Sequence, residues 1–216
     1  MKKDSDQIVR KLAAILSTDV KGYSRLMGDD EMATVETITR YRKLISEFVD
    51  VYHGRVVDSP GDNLLAEFVS AVEALDCAVA IQEKLGVENQ ALVDNRRMEF
   101  RIGITVGDVI SQGERLYGDG VNIAARLEGL SDAGGICISG TVYDQINTKT
   151  DLPLEFIGAR QVKNISNRFA PIKCILRTKR KGAMDSRPGV PPPFRVGKMA
   201  NSLRAERCWI CLTGHP

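Results

Sequence analysis

The sequence has no apolar run long enough to cross a membrane. Its longest early stretch, "LAAIL" at residues 12–16, has five residues, where a spanning helix needs ~20. The same stretch is too short for the core of a signal peptide, and no small-residue cleavage site follows it. Cysteine is sparse, with five residues, an odd number and mostly scattered. That pattern argues against a disulfide framework and for a reducing compartment, so the expected location is the cytoplasm. Cys77, Cys137 and Cys174 stand in apolar segments and read as core residues. Cys208 and Cys211 form "CWIC", but no βαβ frame surrounds them and no second pair completes a zinc site. Internal repeats are absent, which removes solenoids and propellers.

What is present belongs to a soluble globular chain: 43% hydrophobic and 27% charged residues over 216 positions, enough for one domain and some extra. The net charge of +2 conceals an asymmetry. From Arg177 to Pro216 there are nine basic and two acidic residues, leaving residues 1–176 with 21 basic and 26 acidic. Basic tails can meet nucleic acid, although a solvated tail is the commoner case and no nucleic-acid partner is expected. The segment "SRPGVPPPFRVGK" cannot bury much apolar surface, so disorder is expected there.

Periodicity outlines the folded part. Residues 11–19 read as a strand ending at Asp19. Met32, Val35, Ile38, Tyr41, Ile45, Phe48, Val49 and Tyr52 recur at helical spacing. "GRVVDSPGDNLLAEF" reads as two strands around a turn at Ser59, Pro60 and Gly61. A second helix is expected from about Ser70 to Val93. "MEFRIGITVGDVI" reads as strand, "GDGVNIAARLEGL" as helix, "GICISG" as a short buried strand and "TVYDQI" as a short helix. "LEFIGARQVK" and "APIKCILR" read as closing strands. Irregular interleaving with a hairpin predicts an α+β fold with a mixed or antiparallel sheet.

Two carboxylates carry the first chemical signal. Asp19 ends one strand and Asp62 begins another, each beside a turn. Turn and capping roles explain such aspartates individually. If the strands are neighbours, however, both emerge at one sheet edge and repel unless a cation joins them. Mg²⁺ takes hard oxygen ligands of this kind, with phosphate oxygens completing its shell. In "DVKGYS", Gly22 lets the chain turn closely enough for its backbone N–H groups, with those of Tyr23 and Ser24, to meet a phosphate. "YGDGVNIAARLE" sets Asn122 and Arg126 four apart on one helix face, suited to a sugar oxygen and a phosphate charge. Lys163 in "QVKNIS" is a further candidate for a polyphosphate.

The stretches "ILSTDVKGYSRLM", "GRVVDSPGDNLLAEF", "FRIGITVGDVI", "YGDGVNIAARLE" and "GGICISGTVYDQI" occur in one order and spacing. In that respect the chain resembles the catalytic domain of class III adenylate/guanylate cyclases, of the bacterial type. The resemblance implies a ferredoxin-like α+β sandwich over residues 11–177, between a lead-in at 1–10 and a tail at 178–216. It further implies a head-to-tail homodimer with shared active sites, converting a nucleoside triphosphate to a 3′,5′-cyclic monophosphate and pyrophosphate. Asp19 and Asp62 match the family's metal aspartates, with the Val20 carbonyl assisting, for two Mg²⁺ ions that Mn²⁺ can replace. Asn122 and Arg126 match its transition-state pair, supplied by the opposite subunit.

One departure stands out. The family's two base-reading positions, four residues before the second metal aspartate and seven before the asparagine, are here Asp58 and Arg115. That is the usual adenylate pair with its charges exchanged. The pair is compatible with adenine, Arg115 donating to N1 and Asp58 accepting from the 6-amino group. It is equally compatible with guanine, Asp58 accepting from N1–H and the 2-amino group and Arg115 donating to O6. A third reading has the two side chains binding each other and closing the pocket, which would leave a catalytically weak dimerisation or nucleotide-sensing module. ATP is the expected substrate. Asn63 stands where many bacterial relatives have glycine, with an effect expected on the hairpin more than on the metals.

Overall fold

The computed structural model describes residues 8–113 and 115–156, and the backbone of residues 172–174. Lys163, the Cys208–Cys211 pair, the tail from 178 and most of the lead-in lie outside the described residues.

The chain runs β1 (Ile8–Val20), α1 (Tyr23–Asp29), α2 (Glu31–Val51), β2 (Arg55–Asp58), β3 (Leu64–Phe68), α3 (Ala71–Gln90), β4 (Phe100–Gln112), β5 (Arg115–Tyr117), α4 (Asp119–Leu130), β6 (Ile136–Ile138), α5 (Gly140–Ile146), β7 (Leu154–Phe156) and β8 (Ile172–Cys174). One mixed sheet has the order β2-β3-β1-β4-β6-β8-β7, with β5 paired to the far half of β4. Its first four strands, joined through α2 and α3, form the expected ferredoxin-like βαββαβ core. β1 is antiparallel to both neighbours, from Ala14↔Phe68 to Thr18↔Leu64 on one side and from Ile8↔Gln112 to Val20↔Phe100 on the other. The β4–β6 pair is parallel.

Helix starts follow local chemistry. Asp30, Ser70 and Ser139 cap α2, α3 and α5 by accepting the N–H of Ala33, Glu73 and Val142 at 3.1, 3.4 and 3.4 Å, bonds that satisfy otherwise orphaned donors. The second helix therefore starts where it was expected and ends at Gln90, three residues early. Two of the short elements, α1 and β5, do not show in the sequence pattern. α1 has seven residues flanked by Gly22 and Asp30, and β5 has three. Neither is long enough to show a period.

Alternation along β1 sorts the sheet's two faces. Ala14, Leu16 and Val20 join Ile38, Tyr41, Ile45 and Val49 of α2 and Leu75, Ala78, Ile81 and Leu85 of α3 in the main core. Each fully buried branched side chain there contributes roughly 1.5–3 kcal/mol. Ala13 and Ile15 point to the other face, where they meet Val57, Val109, Leu116 and Ala124 of α4. Ser17 and Asp19 share that second parity. Cys77 and Cys137 are buried as expected. On the α4 face, Glu67 binds Lys11 at 2.9 Å and Arg55 at 2.8 Å, tying β3 to both its neighbours.

Candidate functional site

Asp19 lies at the end of β1 opposite Arg101 of β4. Arg101 donates to both carboxylate oxygens, from Nε to Oδ1 at 2.8 Å and from Nη2 to Oδ2. Both side chains are about four-fifths buried. This bond to Asp19 pushes the Arg101 pKa upward against the opposing effect of burial, and the charges of Glu128 and Asp62 add to it. Asp62, in the β2–β3 turn, thus acts on the same guanidinium as Asp19. β1 and β3 are indeed neighbours, so both aspartates belong to one end of the central strands.

Beneath them is a group the sequence reading missed. Glu128 of α4 is buried and hydrogen-bonded to Ser17 Oγ. Burial pushes its pKa up to about 7, with Asp19 and Asp62 adding in the same direction and Ser17 and Arg101 opposing. Helical spacing from Arg126 gives no hint of this, because positions two apart do not share a face. It arises because α4 lies directly on β4. A Cβ at Gly103 would stand 2.2 Å from the Ala124 carbonyl oxygen and 2.4 Å from the Glu128 nitrogen. Only glycine permits that approach.

The same contact fixes Asn122 and Arg126. Asn122 is exposed and Arg126 half-buried. Arg126 Nη1 is buried with no hydrogen-bond partner among the described residues. A buried guanidinium donor without an acceptor is costly, and an anion at that point would satisfy it.

Gly22 adopts φ +73° at the N-terminus of α1, so the turn expected in "DVKGYS" leads straight into a helix. Tyr23 is half-buried and Ser24 exposed. Val20 is buried at the last position of β1.

Asp58 and Arg115 both stand exposed. A register shift between Val56 and Asp58 places Asp58 opposite Leu65, so this bulge turns its side chain to the α4 face. β2 and β5 approach each other there. Within the protomer Asp58 and Arg115 form no ion pair. Asp58 Oδ1 instead accepts the Ser59 N–H at 2.8 Å. The closed pocket of the third reading is therefore not built from these two side chains in one chain.

Metal fit rests on the donor set. Among the described residues no group of three or more His, Cys, Asp or Glu is placed to hold an ion. Two carboxylates and a strand-end carbonyl suit Mg²⁺, which takes one or two carboxylates and completes its shell with water and phosphate. The residues fit.

A βαββαβ sheet with paired acidic strand ends and an Asn/Arg helix laid on β4 is the architecture of nucleotide cyclase domains. The model of the family described as "Adenylate and Guanylate cyclase catalytic domain" matches residues 9–171, and the chain belongs to that family. Over 161 residues, 74% of this chain, it is 41% identical to a Rhizobium meliloti (strain 1021) protein named "Putative adenylate cyclase 3", of which it covers 27%. It is 31% identical over 156 residues to "Adenylate cyclase 1" of the same organism, covering 63% of this chain and 24% of that one. The chain thus spans about a quarter of the length of these relatives. Among solved structures, an adenylate/guanylate cyclase/hydrolase from Silicibacter pomeroyi superposes with a TM-score of 0.75 at 34% identity, covering 79% of this chain and all of that one. An adenylyl cyclase from P. aeruginosa gives 0.70 at 23% identity, covering 82% and 100%, and supports the fold. No described helix is long and apolar enough to cross a membrane.

Proposed function

We propose that this chain converts ATP to 3′,5′-cyclic AMP and pyrophosphate as a homodimer with shared active sites, serving cyclic nucleotide signalling in the cytoplasm. The observation that carries the reading is Arg126 Nη1, a buried donor without an acceptor on the same helix face as Asn122. Asp19, Asp62 and the Val20 carbonyl would hold two Mg²⁺ ions, or Mn²⁺, which supply charge neutralisation at the triphosphate and a lowered pKa for the ribose 3′-OH.

The chain's own residues do the rest. Arg126 of one subunit stabilises the negative charge that develops on the α-phosphoryl oxygens, and Asn122 fixes the ribose. Gly22, Tyr23 and Ser24 lend backbone donors to the phosphates, and Lys163 adds a charge. Arg101 balances the Asp19 charge in the protomer and yields that carboxylate when a metal ion enters. Arg115 donates to adenine N1 and Asp58 accepts from the 6-amino group.

Purified protein with ATP or GTP, in Mg²⁺ and separately in Mn²⁺, tests this. Cyclic AMP and pyrophosphate are expected in equal amounts, lost in Asp62→Ala. Cyclic GMP would preserve the chemistry and reverse the base assignment. Absence of product from a folded dimer would overturn the catalytic reading. It would favour the second one, a nucleotide-sensing or dimerisation module, for which the exchanged Asp58/Arg115 charges are the specific observation.

A further inference from the structure

The β2–β3 turn carries Asp58 at one end and Asp62 at the other, yet residues 59–63 pair with no strand. Its internal bonds are few. Asn63 N–H donates to the Pro60 carbonyl at 3.0 Å, and Ser59 Oγ donates to the Asn63 carbonyl at 3.3 Å. Pro60 has no N–H to offer, and Gly61 sits at φ +58°.

Arg42 of α2 supplies what the turn lacks. Its Nε donates to Ser59 Oγ at 2.7 Å, its Nη1 to the Gly61 carbonyl at 3.1 Å and its Nη2 to the Ser59 carbonyl. One guanidinium thus holds three oxygens, all neutral, and Arg42 forms no ion pair among the described residues. Hydrogen bonds from a charged donor are roughly twice as strong as neutral ones. A planar fork meets several acceptors at once, which an ammonium group cannot match. Ser59 passes the constraint in both directions: its N–H holds Asp58, and its hydroxyl holds Asn63, next to Asp62.

We infer that Arg42 is a positioning residue that fixes the β2–β3 turn, and through it sets both the base-facing Asp58 and the metal-facing Asp62. The inference rests on the cyclase reading for its catalytic consequence, while the clamp itself has an independent readout. Displacing catalytic groups by about 1 Å costs on the order of 10²-fold, so a turn released from one end has room to cost activity without unfolding the domain.

The test compares Arg42→Gln and Arg42→Lys with Arg97→Gln. Arg97 likewise donates to a main-chain carbonyl, that of Asn89 at 3.1 Å, but touches no site element. Three measurements are made on each variant of the 216-residue chain: amide hydrogen exchange at residues 59–63, Mn²⁺ binding by electron paramagnetic resonance, and kcat and KM for ATP and GTP. Arg42→Gln is expected to speed exchange in the turn, weaken Mn²⁺ binding and lower kcat/KM by roughly tenfold or more. It should also narrow the ratio of ATP to GTP turnover, which a loss of stability alone would not move. Arg42→Lys should fall between, and Arg97→Gln should match wild type in exchange at 59–63 and in base ratio. Unchanged exchange in the turn of Arg42→Gln would overturn the clamp. Faster exchange with unchanged Mn²⁺ binding and base ratio would overturn its role in the site. Wild-type protein without product would count against the cyclase reading alone, since exchange and Mn²⁺ binding still decide the clamp.

Discussion

Arg101 holds both carboxylate oxygens of Asp19 across the β1–β4 pair, so the protomer neutralises one of its metal-ligand candidates with its own cation. An entering metal has to compete with that pair. The expected behaviour is weak Mn²⁺ binding in the absence of nucleotide, and several-fold tighter binding in Arg101→Gln. The same variant should lose roughly 1–3 kcal/mol of stability, because Asp19 is left mostly buried without its partner. Calorimetric Mn²⁺ titration and urea unfolding measure the two effects. Tighter binding in the intact protein than in the variant would show that Arg101 helps organise the metal site instead of competing for it.

Gly103 is where α4 rests on the sheet. A methyl group there would overlap the main chain at Ala124 and Glu128, at 2.2 and 2.4 Å, and backbone gives way less readily than a side chain. Gly103→Ala is expected to cost at least ~1–3 kcal/mol, the usual range for overpacking, and to displace Asn122 and Arg126 together. Urea denaturation reports the first effect and kcat the second. A variant of wild-type stability would mean that α4 is free to lift away from β4.

If Asp62 and Arg126 of opposite subunits complete each site, mutants defective in one or the other should complement. Asp62→Ala and Arg126→Ala are each expected to lower turnover by ~10² or more. Mixed one to one under subunit exchange, they should recover roughly a quarter of wild-type turnover, since half the dimers are mixed and each mixed dimer has one intact site. A mixture no more active than its components would argue that each subunit works with its own Arg126.

Most of the fold is legible in the sequence, because its long elements have clear periods. The continuous apolar run of β1, buried on both faces, and the helical spacing of α2 are enough to anticipate much of the core. α1 and β5 are hidden because seven and three residues cannot display one. The candidate site divides in the same way. Asp19, Asp62, Asn122 and Arg126 are visible as chemistry beside turns and glycines. Arg101, Glu128 and Arg42 are not, because their importance depends on the strand opposite, the helix overhead or a turn met far along the chain. Arg42 and Ser59 are 17 residues apart, and Ser17 and Glu128 are 111 apart. Nothing local marks either pair.

Glu128 makes stability depend on pH with a definite sign. Its pKa rises from 4.5, the ordinary value of an exposed glutamate, to about 7 on folding, so between these values the folded chain holds a proton that the unfolded chain has released. Stability contributed by that proton is complete below about 4.5 and falls as pH rises, levelling off above about 7. The total is roughly 3 kcal/mol, taking ~1.4 kcal/mol for each tenfold change in proton affinity. Glu128→Gln keeps a polar group against Ser17 and cannot ionise, so its stability should be nearly flat across the same interval. The two proteins should therefore converge near pH 4.5 and differ most at pH 8, with the variant the more stable. Urea midpoints collected every half unit from pH 4.5 to 8 measure this directly. Parallel curves for the two proteins would show that Glu128 stays ionised in the folded chain, sustained by Arg101 despite its burial.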